Sequence, residues 1–588
     1  SELYFFASTK LRERVVIEND FNTFQPSYSP DGKKIAYLKE RTELVVYDIS
    51  KKSHTTVLEG ERNISYVDGD QQFIWSPDSL KLAVVFLDRD LWSGEIGIVN
   101  ADGRGEVINI TNTGASEASP KWSSKGEMIS WQVQNELQAL FMNKAGLDEF
   151  NLTKEEFDLL KKRKEKEEKE KSSETGDKKN GEEKKEEKKI EPVKFENEYL
   201  DRRIVKLTLN PANILDHTFS NDDETLYILT MEPSEYKVTS ISLREKKDKT
   251  IVSIPRPRNQ SWWYRPNFQL VLDKPGTSLY VLTDKKVSKI TLADGKRQPV
   301  NLSAEFSVDS IDEKKYLFEF VWKTVNDKFY IKELHNVDWK KYFNEYKQFI
   351  PHINNNYDFT EMLSEMLGEL NASHTGSGYI HRESMGDDTG RLGIFYTISE
   401  KGLVVDEVIQ GSPLDKAGSR IKPGVIIEKI DGITTAGNDI NSILNRKVGK
   451  NVRLTLRSST GLDKWDEIVK PINYRAEFDL LYDRWVEKNK KRVDELSNNR
   501  LGYVHIKGMN SASFKDVYND ILGKYNDREG IVIDTRFNGG GWLHNELSIL
   551  FGGKSYTRYT HRGVKNFGGD PNNQWTKKSI LVVNEGNY

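Results

Sequence analysis

The chain has 588 residues, 36% of them hydrophobic and 11% aromatic, which is enough for several packed domains because a domain usually takes about 100 to 200 residues. Its 88 basic residues nearly balance its 91 acidic ones, which argues against the basic face of a dedicated nucleic-acid binder. No run approaches the roughly 18 apolar residues of a membrane helix. The absence of cysteine excludes disulfides, thiolate zinc sites and cysteine nucleophiles, and it leaves the compartment open.

A repeat fills the first half of the chain. The segment Tyr28-Ser-Pro-Asp-Gly-Lys-Lys-Ile-Ala-Tyr37 recurs 47 residues later at Trp75 and after another 47 residues at Trp122. Further copies begin at Phe219 and, more weakly, at Val271. Each copy joins an aromatic-led strand to a second strand through a polar turn, and several strands per unit of this length are typical of β-propeller blades. A solenoid is the alternative, but its units usually carry helices or shorter strands.

One interval of the repeat contains an insertion. From Trp122 to Phe219 is 97 residues, and the excess is a tract at 161–189 made almost entirely of Lys, Glu, Ser, Asp and Gly. Such a tract buries too little apolar surface to offset its chain entropy, so we expect a solvated insertion at about 155–196, as a surface loop or a charged helix. The all-β propeller is expected to occupy residues 1–309, with further blades upstream or too diverged to recognise.

Helices follow the propeller. Apolar residues at helical spacing predict helices at 312–330, 339–350 and 358–370, the last capped by Asp358, so residues 310–389 are expected to form a small helical domain. A turn, Asn371-Ala-Ser-His-Thr-Gly-Ser-Gly378, ends it. Its histidine suits a general base, because imidazole accepts a proton near neutral pH. The alternative is a capping turn that only happens to contain histidine.

Short strands return in residues 390–473. Arg391-Leu-Gly-Ile-Phe395 and Gly411-Ser-Pro-Leu-Asp-Lys-Ala-Gly418 precede a hairpin at Ile430-Asp-Gly432, and this succession resembles a PDZ domain. The resemblance implies a loop that holds a peptide C-terminus by strand addition. The residues of that peptide-binding loop are Leu392, Gly393, Ile394 and Phe395. The alternative is a domain that only positions its neighbours.

Strands and helices alternate in residues 474–588, which predicts an α/β core with a parallel sheet. One predicted strand, at 530–534, ends in Asp534-Thr-Arg-Phe-Asn-Gly-Gly-Gly-Trp542, here called the triple-glycine loop. Its glycines let bare backbone N–H groups approach a carbonyl oxygen. It is no Walker A loop, because no Gly-Lys-Ser/Thr follows.

The order of propeller, helices, PDZ-like domain and α/β core, with these motifs, resembles the tricorn-type serine proteases of the C-terminal processing peptidase superfamily. The resemblance implies that His374 is the catalytic base and that Ser373 helps orient the charge relay. The nearby His381 is the histidine most easily mistaken for the base. It also implies an oxyanion hole and substrate-binding backbone in the triple-glycine loop, braced by its first acidic and basic side chains. The glycines concerned are Gly539, Gly540 and Gly541.

The last residues, Val582-Val-Asn-Glu-Gly-Asn-Tyr588, resemble the strand that presents the nucleophile in this family. The family pattern places the serine directly after Tyr588 and the charge-relay glutamate further on. Both ends of the chain look cut, and no signal peptide is seen at Ser1. We therefore expect no peptidase activity from the chain alone.

We expect a serine endopeptidase that hydrolyses peptides or unfolded polypeptides through an acyl-enzyme. The resemblance implies a large homo-oligomer, with a hexamer as one arrangement, and a cytoplasmic location. The alternative location is periplasmic, because exported bacterial proteins also carry such repeats. No nucleic-acid or membrane partner and no cofactor are expected. A metal site is not expected either, because the histidines show no His-x-x-x-His or Glu-x-x-His grouping.

Other functions stay open. One is a non-catalytic scaffold in which propeller and PDZ-like domain bind peptides beside a dead core. Another is a processing peptidase with a Ser-Lys dyad, which would not need His374. A propeller-type prolyl peptidase is disfavoured, because no Gly-x-Ser-x-Gly elbow occurs.

Overall fold

The structure, a computed structural model, divides into two compact units, Ser1–Ser307 and Val308–Tyr588. It describes residues 2–7, 12–18, 21–63, 70–88, 93–174, 192–256, 267–381, 386–563 and 568–587, with side chains described outside 2–18 and 167–174.

The first unit contains five described four-stranded antiparallel sheets, each with its strands bonded in chain order. Blade 1 consists of Thr23–Tyr28, Lys34–Lys39, Glu43–Asp48 and Ser53–Leu58, and blade 2 of Phe73–Trp75, Lys81–Leu87, Gly94–Asn100 and Ile108–Asn109. Blade 3 consists of Glu117–Trp122, Met128–Val133, Glu136–Phe141 and Ile204–Lys206, and blade 4 of Ile214–Phe219, Thr225–Met231, Glu235–Ser242 and Lys247–Pro255. Blade 5 consists of Gln269–Leu272, Ser278–Thr283, Lys286–Thr291 and Arg297–Val300, and a two-stranded sheet of Glu2–Ala7 and Arg12–Glu18 precedes blade 1. These sheets confirm the propeller-like fold that the repeat predicts.

The sequence repeat forms the turn between the first two strands of a blade. In blade 2 its aromatic residue, Trp75, ends the first strand, and the hydroxyl of the next residue, Ser76, accepts the N–H of Lys81 at 2.9 Å. This bond closes the turn with the repeat's own serine. The indole N–H of Trp75 donates to the carbonyl of Ser27 in blade 1 at 3.1 Å. In blade 2 the repeat therefore shapes the turn and also links this blade to blade 1.

The charged insertion begins as a helix. After α1 (Lys144–Phe150), α2 spans Lys154–Glu174. Arg244 of blade 4 holds its start: the guanidinium lies 3.7 Å from the centre of the Phe157 ring and donates to the carbonyl of Leu152 at 3.0 Å. Of the two forms expected for the insertion, the described part is the charged helix, and residues 175–191 lie outside the described residues.

Two buried carboxylates join blades 2 and 3. Glu95 and Glu117 are 4% and 2% exposed, and Thr113 donates its N–H to the first at 3.1 Å and its hydroxyl to the second at 2.5 Å. The other carboxylate oxygen of Glu117 is buried with no hydrogen-bond partner. Burial, together with the charge of Glu95, raises the pKa of Glu117. A charged Glu117 is therefore costly to this interface.

We expect Glu117→Gln to stabilise the first unit at neutral pH. A carboxyl whose pKa is higher in the folded than in the unfolded chain lowers stability as the pH rises between those two values, and glutamine removes that loss. The expected gain is about 1 kcal/mol at pH 7, shrinking towards zero near pH 4, in urea unfolding followed at both pH values. The matched control is the exposed Glu106→Gln. An equal change at both pH values would contradict the assignment.

The second unit opens with three helices, α3 (Ser310–Lys328), α4 (Trp339–Lys347) and α5 (Asn356–Gly368). They pack around one apolar cluster, and the indole N–H groups of Trp322 and Trp339 each donate to the other's backbone carbonyl, at 2.9 and 3.0 Å. The predicted cap of the third helix is wrong. Asn355 caps it instead, since its side chain accepts the N–H of Asp358 at 2.9 Å.

A six-stranded antiparallel sheet follows, with the short α6 (Ile440–Ile443) beside it. Its strands are Ile394–Ser399, Gly402–Val408, Ile426–Ile430, Ile433–Thr434, Val452–Arg457 and Lys464–Val469. The described sheet has Ile394–Ser399 at one edge, paired on one side with Gly402–Val408. Aliphatic side chains form its core.

The last part of the chain is an α/β arrangement. In chain order it contains α7 (Tyr474–Ser497), a strand Leu501–His505, α8 (Ser511–Asn519) with a π-helical turn Asp520–Lys524, a strand Gly530–Asp534, α9 (His544–Gly552), a small hairpin of Thr557–Arg558 and Gly569–Asp570, and a strand Lys578–Val582. The three longer strands are parallel, with Gly530–Asp534 in the middle. Their parallel direction brings all three carboxyl ends to one edge of the sheet.

Candidate active site

Three strands of the parallel sheet end in register. His505 lies opposite Asp534, and Asp534 lies opposite Val582. The backbone bonds continue past these ends, because the N–H of Thr535 donates to the carbonyl of Val582 at 2.9 Å. The loops that follow the three strands therefore start side by side.

Asp534, at the end of the central strand, anchors the start of the triple-glycine loop. Its side chain is completely buried and accepts a hydrogen bond from the Tyr503 hydroxyl at 2.7 Å. It also accepts two hydrogen bonds from the Arg536 guanidinium, from Nε at 3.0 Å and from Nη2 at 2.6 Å. Burial alone would raise the pKa of Asp534, but the bonds from Arg536 and Tyr503 outweigh burial and lower it. The carboxylate is therefore charged at neutral pH and fixes the first turn of the loop.

We expect Asp534→Asn to destabilise the second unit by about 3 kcal/mol at pH 7, because it leaves the Arg536 guanidinium without its charge partner. The lowered pKa sets the pH window: the stabilisation is present above the unfolded-state pKa of about 4 and is lost as the pH falls through the lower folded-state value. Urea unfolding of Asp534→Asn beside the exposed control Asp527→Asn measures this. A loss that persisted unchanged at pH 2 would contradict the ionic role.

The glycines are placed by the side chain of Asn538. Its Nδ2 donates to the carbonyl of Ile506 at 2.7 Å, and its Oδ1 accepts the N–H of Gly540 at 2.8 Å. Gly540 and Gly541 have φ angles of 82° and 130°, which favour glycine. A Cβ on Gly541 would lie 2.4 Å from the carbonyl oxygen of Met509. Since the N–H of Gly540 is used within the loop, Gly539 and Gly541 are the glycines left to offer N–H groups to a ligand.

The segment after the third strand is tied to the same loop. The side chain of Asn584 accepts the N–H of Phe537 at 3.1 Å, and Nδ2 of Asn587 donates to the carbonyl of Thr535 at 2.6 Å. The N–H of Asn584 donates to the side chain of Asn587 at 2.9 Å, which closes the segment on itself. We call residues 583–587 the terminal segment. Its two asparagines fix it against the triple-glycine loop.

The turn with His374 follows α5. His374 and Ser373 are exposed, and His374 has a φ of 60°. The turn is tied back to α5, because the hydroxyl of Ser364 accepts the N–H of Ser377 at 2.9 Å and donates to its carbonyl at 3.0 Å. These bonds tie the end of the turn at Ser377 to the helix. The bonds above thus join the triple-glycine loop to the terminal segment, and they join the His374 turn to the helical part.

Two domain families match separate parts of the second unit. The Tricorn protease C1 domain matches residues 311–368, and Peptidase family S41 matches residues 500–588. The second match contains the triple-glycine loop and the terminal segment, and the first ends just before the His374 turn.

Comparisons that extend over longer parts of the chain also find tricorn proteases. The Tricorn protease homolog of Saccharolobus solfataricus is 24% identical over 90% of this chain and 49% of its own length. The putative Tricorn-like protease C-terminal subunit of Sulfurisphaera tokodaii is 25% identical over 88% of this chain and 58% of its own. The Tricorn protease of Thermoplasma acidophilum is 27% identical over 45% of this chain and 26% of its own. A crystal structure of the tricorn protease superposes with a TM-score of 0.75 at 17% identity, over 99% of this chain and 56% of that one.

The chain is similar to the tricorn proteases. It spans between a quarter and somewhat over half of the length of these relatives. The structural likeness shows that the chain shares the tricorn fold, and its residues 500–588 match Peptidase family S41.

The expected peptide-binding loop leads into an edge strand. Leu392 is buried, and Gly393 has a φ of 67° with room for no side chain, because a Cβ there would lie 2.6 Å from that of Ser412. Ile394 and Phe395 begin the strand Ile394–Ser399, at the edge of the described sheet. The loop thus opens directly onto backbone that a further strand could join.

Sequence reasoning missed several residues that shape the candidate site. Asn538, Asn584 and Asn587 bond across the loops, and His505 lies between the sheet and α7. The sequence feature that could have pointed to His505 is its place at the end of a strand, next to the strand that ends in Asp534.

The described residues contain no group of three or more His, Asp or Glu side chains placed to hold a metal ion. Within those same ranges, every helix is too short or too polar to cross a bilayer.

Proposed function

We propose that this chain carries the general base and the oxyanion-binding loop of a serine endopeptidase that hydrolyses peptides or unfolded polypeptides. The observation that supports this most is the bonding of the triple-glycine loop to the terminal segment through Asn584 and Asn587. The terminal segment resembles the strand that presents the nucleophile. Bare glycine backbone beside a nucleophile is what acyl transfer requires.

In this mechanism His374 takes the proton of a serine hydroxyl, and Ser373 helps to orient the relay. The serine attacks the carbonyl carbon of the scissile peptide. The resulting oxyanion accepts hydrogen bonds from the backbone N–H groups of Gly539 and Gly541. Each such donor is worth roughly 3 kcal/mol in the transition state. His374 then returns the proton to the leaving amine, and water releases the acyl group through the same base. The nucleophile is proposed to follow Tyr588 directly.

The remaining parts receive supporting roles. We assign residues 1–309 to the propeller, 310–389 to the helical part that carries His374, 390–473 to a PDZ domain and 474–588 to the α/β core. The edge strand that starts at Ile394 is proposed to hold substrate peptide by strand addition. Assembly as a large homo-oligomer, with a hexamer as one form, and a cytoplasmic location are proposed from the resemblance alone.

A labelling experiment on the full-length protein tests the proposal. A peptide chloromethyl ketone binds as a substrate and alkylates the histidine that serves the nucleophile. We expect it to stop hydrolysis of an unfolded protein substrate and to modify His374, identified by peptide mass mapping. Modification of another histidine, or inactivation without modification of His374, would contradict the assignment. Peptide binding with no hydrolysis would favour the non-catalytic scaffold.

A further inference from the structure

His505 lies between α7 and the triple-glycine loop. It ends its strand opposite Asp534 and is half-buried. Its Nε2 lies 3.0 Å from the carbonyl oxygen of Arg536, and its Nδ1 lies 2.5 Å from the hydroxyl of Tyr482 on α7. The Trp485 ring covers it edge-on, with ring centres 5.0 Å apart. The imidazole is therefore held from two opposite sides.

These partners determine which ring nitrogen carries the proton. A backbone carbonyl only accepts, so Nε2 of His505 must donate to Arg536. In the neutral ring Nδ1 then accepts, and the hydroxyl of Tyr482 supplies the hydrogen. Burial is the largest influence on the pKa of His505 and lowers it. The hydrogen bond to the Arg536 carbonyl and the charge of Asp534 oppose burial, the charges of Arg536 and Lys507 add smaller lowering effects, and the net shift is downward. The ring is neutral at neutral pH.

One peptide plane connects this ring to the terminal segment. The carbonyl of Arg536 accepts from His505, and the N–H of Phe537, on the same peptide, donates to the side chain of Asn584 at 3.1 Å. Phe537 has a φ of 63°, a conformation that such a residue adopts only when its surroundings hold it. Both ends of this peptide are thus fixed two residues before the first of the three glycines.

We propose that His505 is a positioning residue. Its neutral ring, clamped between the Tyr482 hydroxyl and the Arg536 carbonyl, fixes the Arg536–Phe537 peptide and so aims the N–H groups of the triple-glycine loop. What those N–H groups bind rests on the proposed function; the clamp itself does not. His505 touches no substrate in this role.

The clamp depends on the charge of the ring. Protonation makes Nδ1 a donor, so the Tyr482 hydroxyl must turn from donating to accepting. The cationic ring would also face the charges of Arg536 and Lys507, opposed by the charge of Asp534. Since the pKa of His505 is lowered, the clamp should loosen only below the ordinary histidine range near pH 6.5.

Nitrogen NMR of the chain labelled in its nine histidines tests the tautomer directly. His505, assigned by its loss in His505→Gln, should show a protonated Nε2 and a bare Nδ1 that persist below the ordinary histidine pKa of about 6.5. A protonated Nδ1 in the neutral ring, or a titration midpoint at the ordinary value, would overturn the proposal.

Hydrogen exchange measures the effect on the loop. His505→Ala should speed exchange of backbone amides at 537–541 about tenfold or more, corresponding to the loss of about 1.4 kcal/mol of local stability. His505→Gln, whose carboxamide can still donate to Arg536, should recover part of the protection. The control is the exposed His544→Ala on α9. An unchanged loop, or faster exchange spread evenly over the second unit, would overturn the positioning role.

Kinetics of the full-length protein separate this inference from the proposed function. His505→Ala should lower kcat with little change in KM, and His505→Gln should restore part of it. If the full-length wild type hydrolyses nothing, the proposed function fails. The NMR and hydrogen-exchange measurements then still test whether His505 positions the loop. A His505→Ala variant with wild-type kcat would show that the clamp plays no part in catalysis, and the proposed peptidase function would be unaffected.

Discussion

Replacing His374 with alanine in the full-length protein is expected to lower kcat by about 10⁴-fold to 10⁶-fold and to leave KM nearly unchanged. The imidazole acts on the proton of the nucleophile, so its loss weakens the transition state and not the binding of the peptide backbone. His374 is exposed, and its turn is tied to α5 by Ser364 and Ser377, so the substitution should leave the fold intact. Steady-state hydrolysis of an unfolded substrate measures the effect.

The matched control is His381→Ala, seven residues further along the same exposed stretch. We expect it to retain wild-type kcat. Full activity of His374→Ala would exclude His374 as the base and favour the Ser-Lys dyad. Equal losses in both variants would point to a structural role for the whole stretch.

Replacing Gly541 with alanine is expected to destabilise the second unit by about 3 kcal/mol and to lower kcat by at least about 10²-fold. The new Cβ would lie 2.4 Å from the carbonyl oxygen of Met509, at a φ of 130° that alanine rarely adopts. The loop would have to move away from Met509, which bonds both Gly540 and Trp542. Urea unfolding and kinetics of the same variant give the two effects.

The neighbouring glycine supplies the control. A Cβ on Gly539 would meet no atom within 4 Å, and its φ is not in the left-handed region. Gly539→Ala should therefore change the free energy of unfolding by less than about 1 kcal/mol. Similar losses from both substitutions would show that the contact with Met509 does not set the requirement for glycine.

The blades could be predicted from the sequence because their determinants are local. The serine of the repeat closes its own turn five residues on, as Ser76 does with Lys81, so the pattern repeats wherever the turn repeats. The helices after the propeller were likewise visible from their apolar spacing. The error at the third helix was local too: Asn355 competes with Asp358 for the cap and starts the helix earlier.

The site could be predicted only in part, because its geometry depends on contacts between distant residues. The bond from Asn587 to Thr535 and the clamp of His505 between Tyr482 and Arg536 join segments with no shared pattern in the sequence. The use of the Gly540 N–H by Asn538 is nearby in sequence, yet three consecutive glycines do not reveal which N–H is occupied.

In the proposed active site the His374 turn and the triple-glycine loop face one point. The chain contains no cysteine, so two introduced thiols report on this distance cleanly. A Cβ on Gly376 would meet no atom within 4 Å, and Trp542 is 82% exposed, which makes Gly376→Cys with Trp542→Cys a suitable pair. Reacting atoms in such a site approach to about 3 Å, so a short bismaleimide should join the two thiols within one chain of the folded protein and not after unfolding in urea. Two thiols that each react with maleimide but never become joined would contradict the shared site.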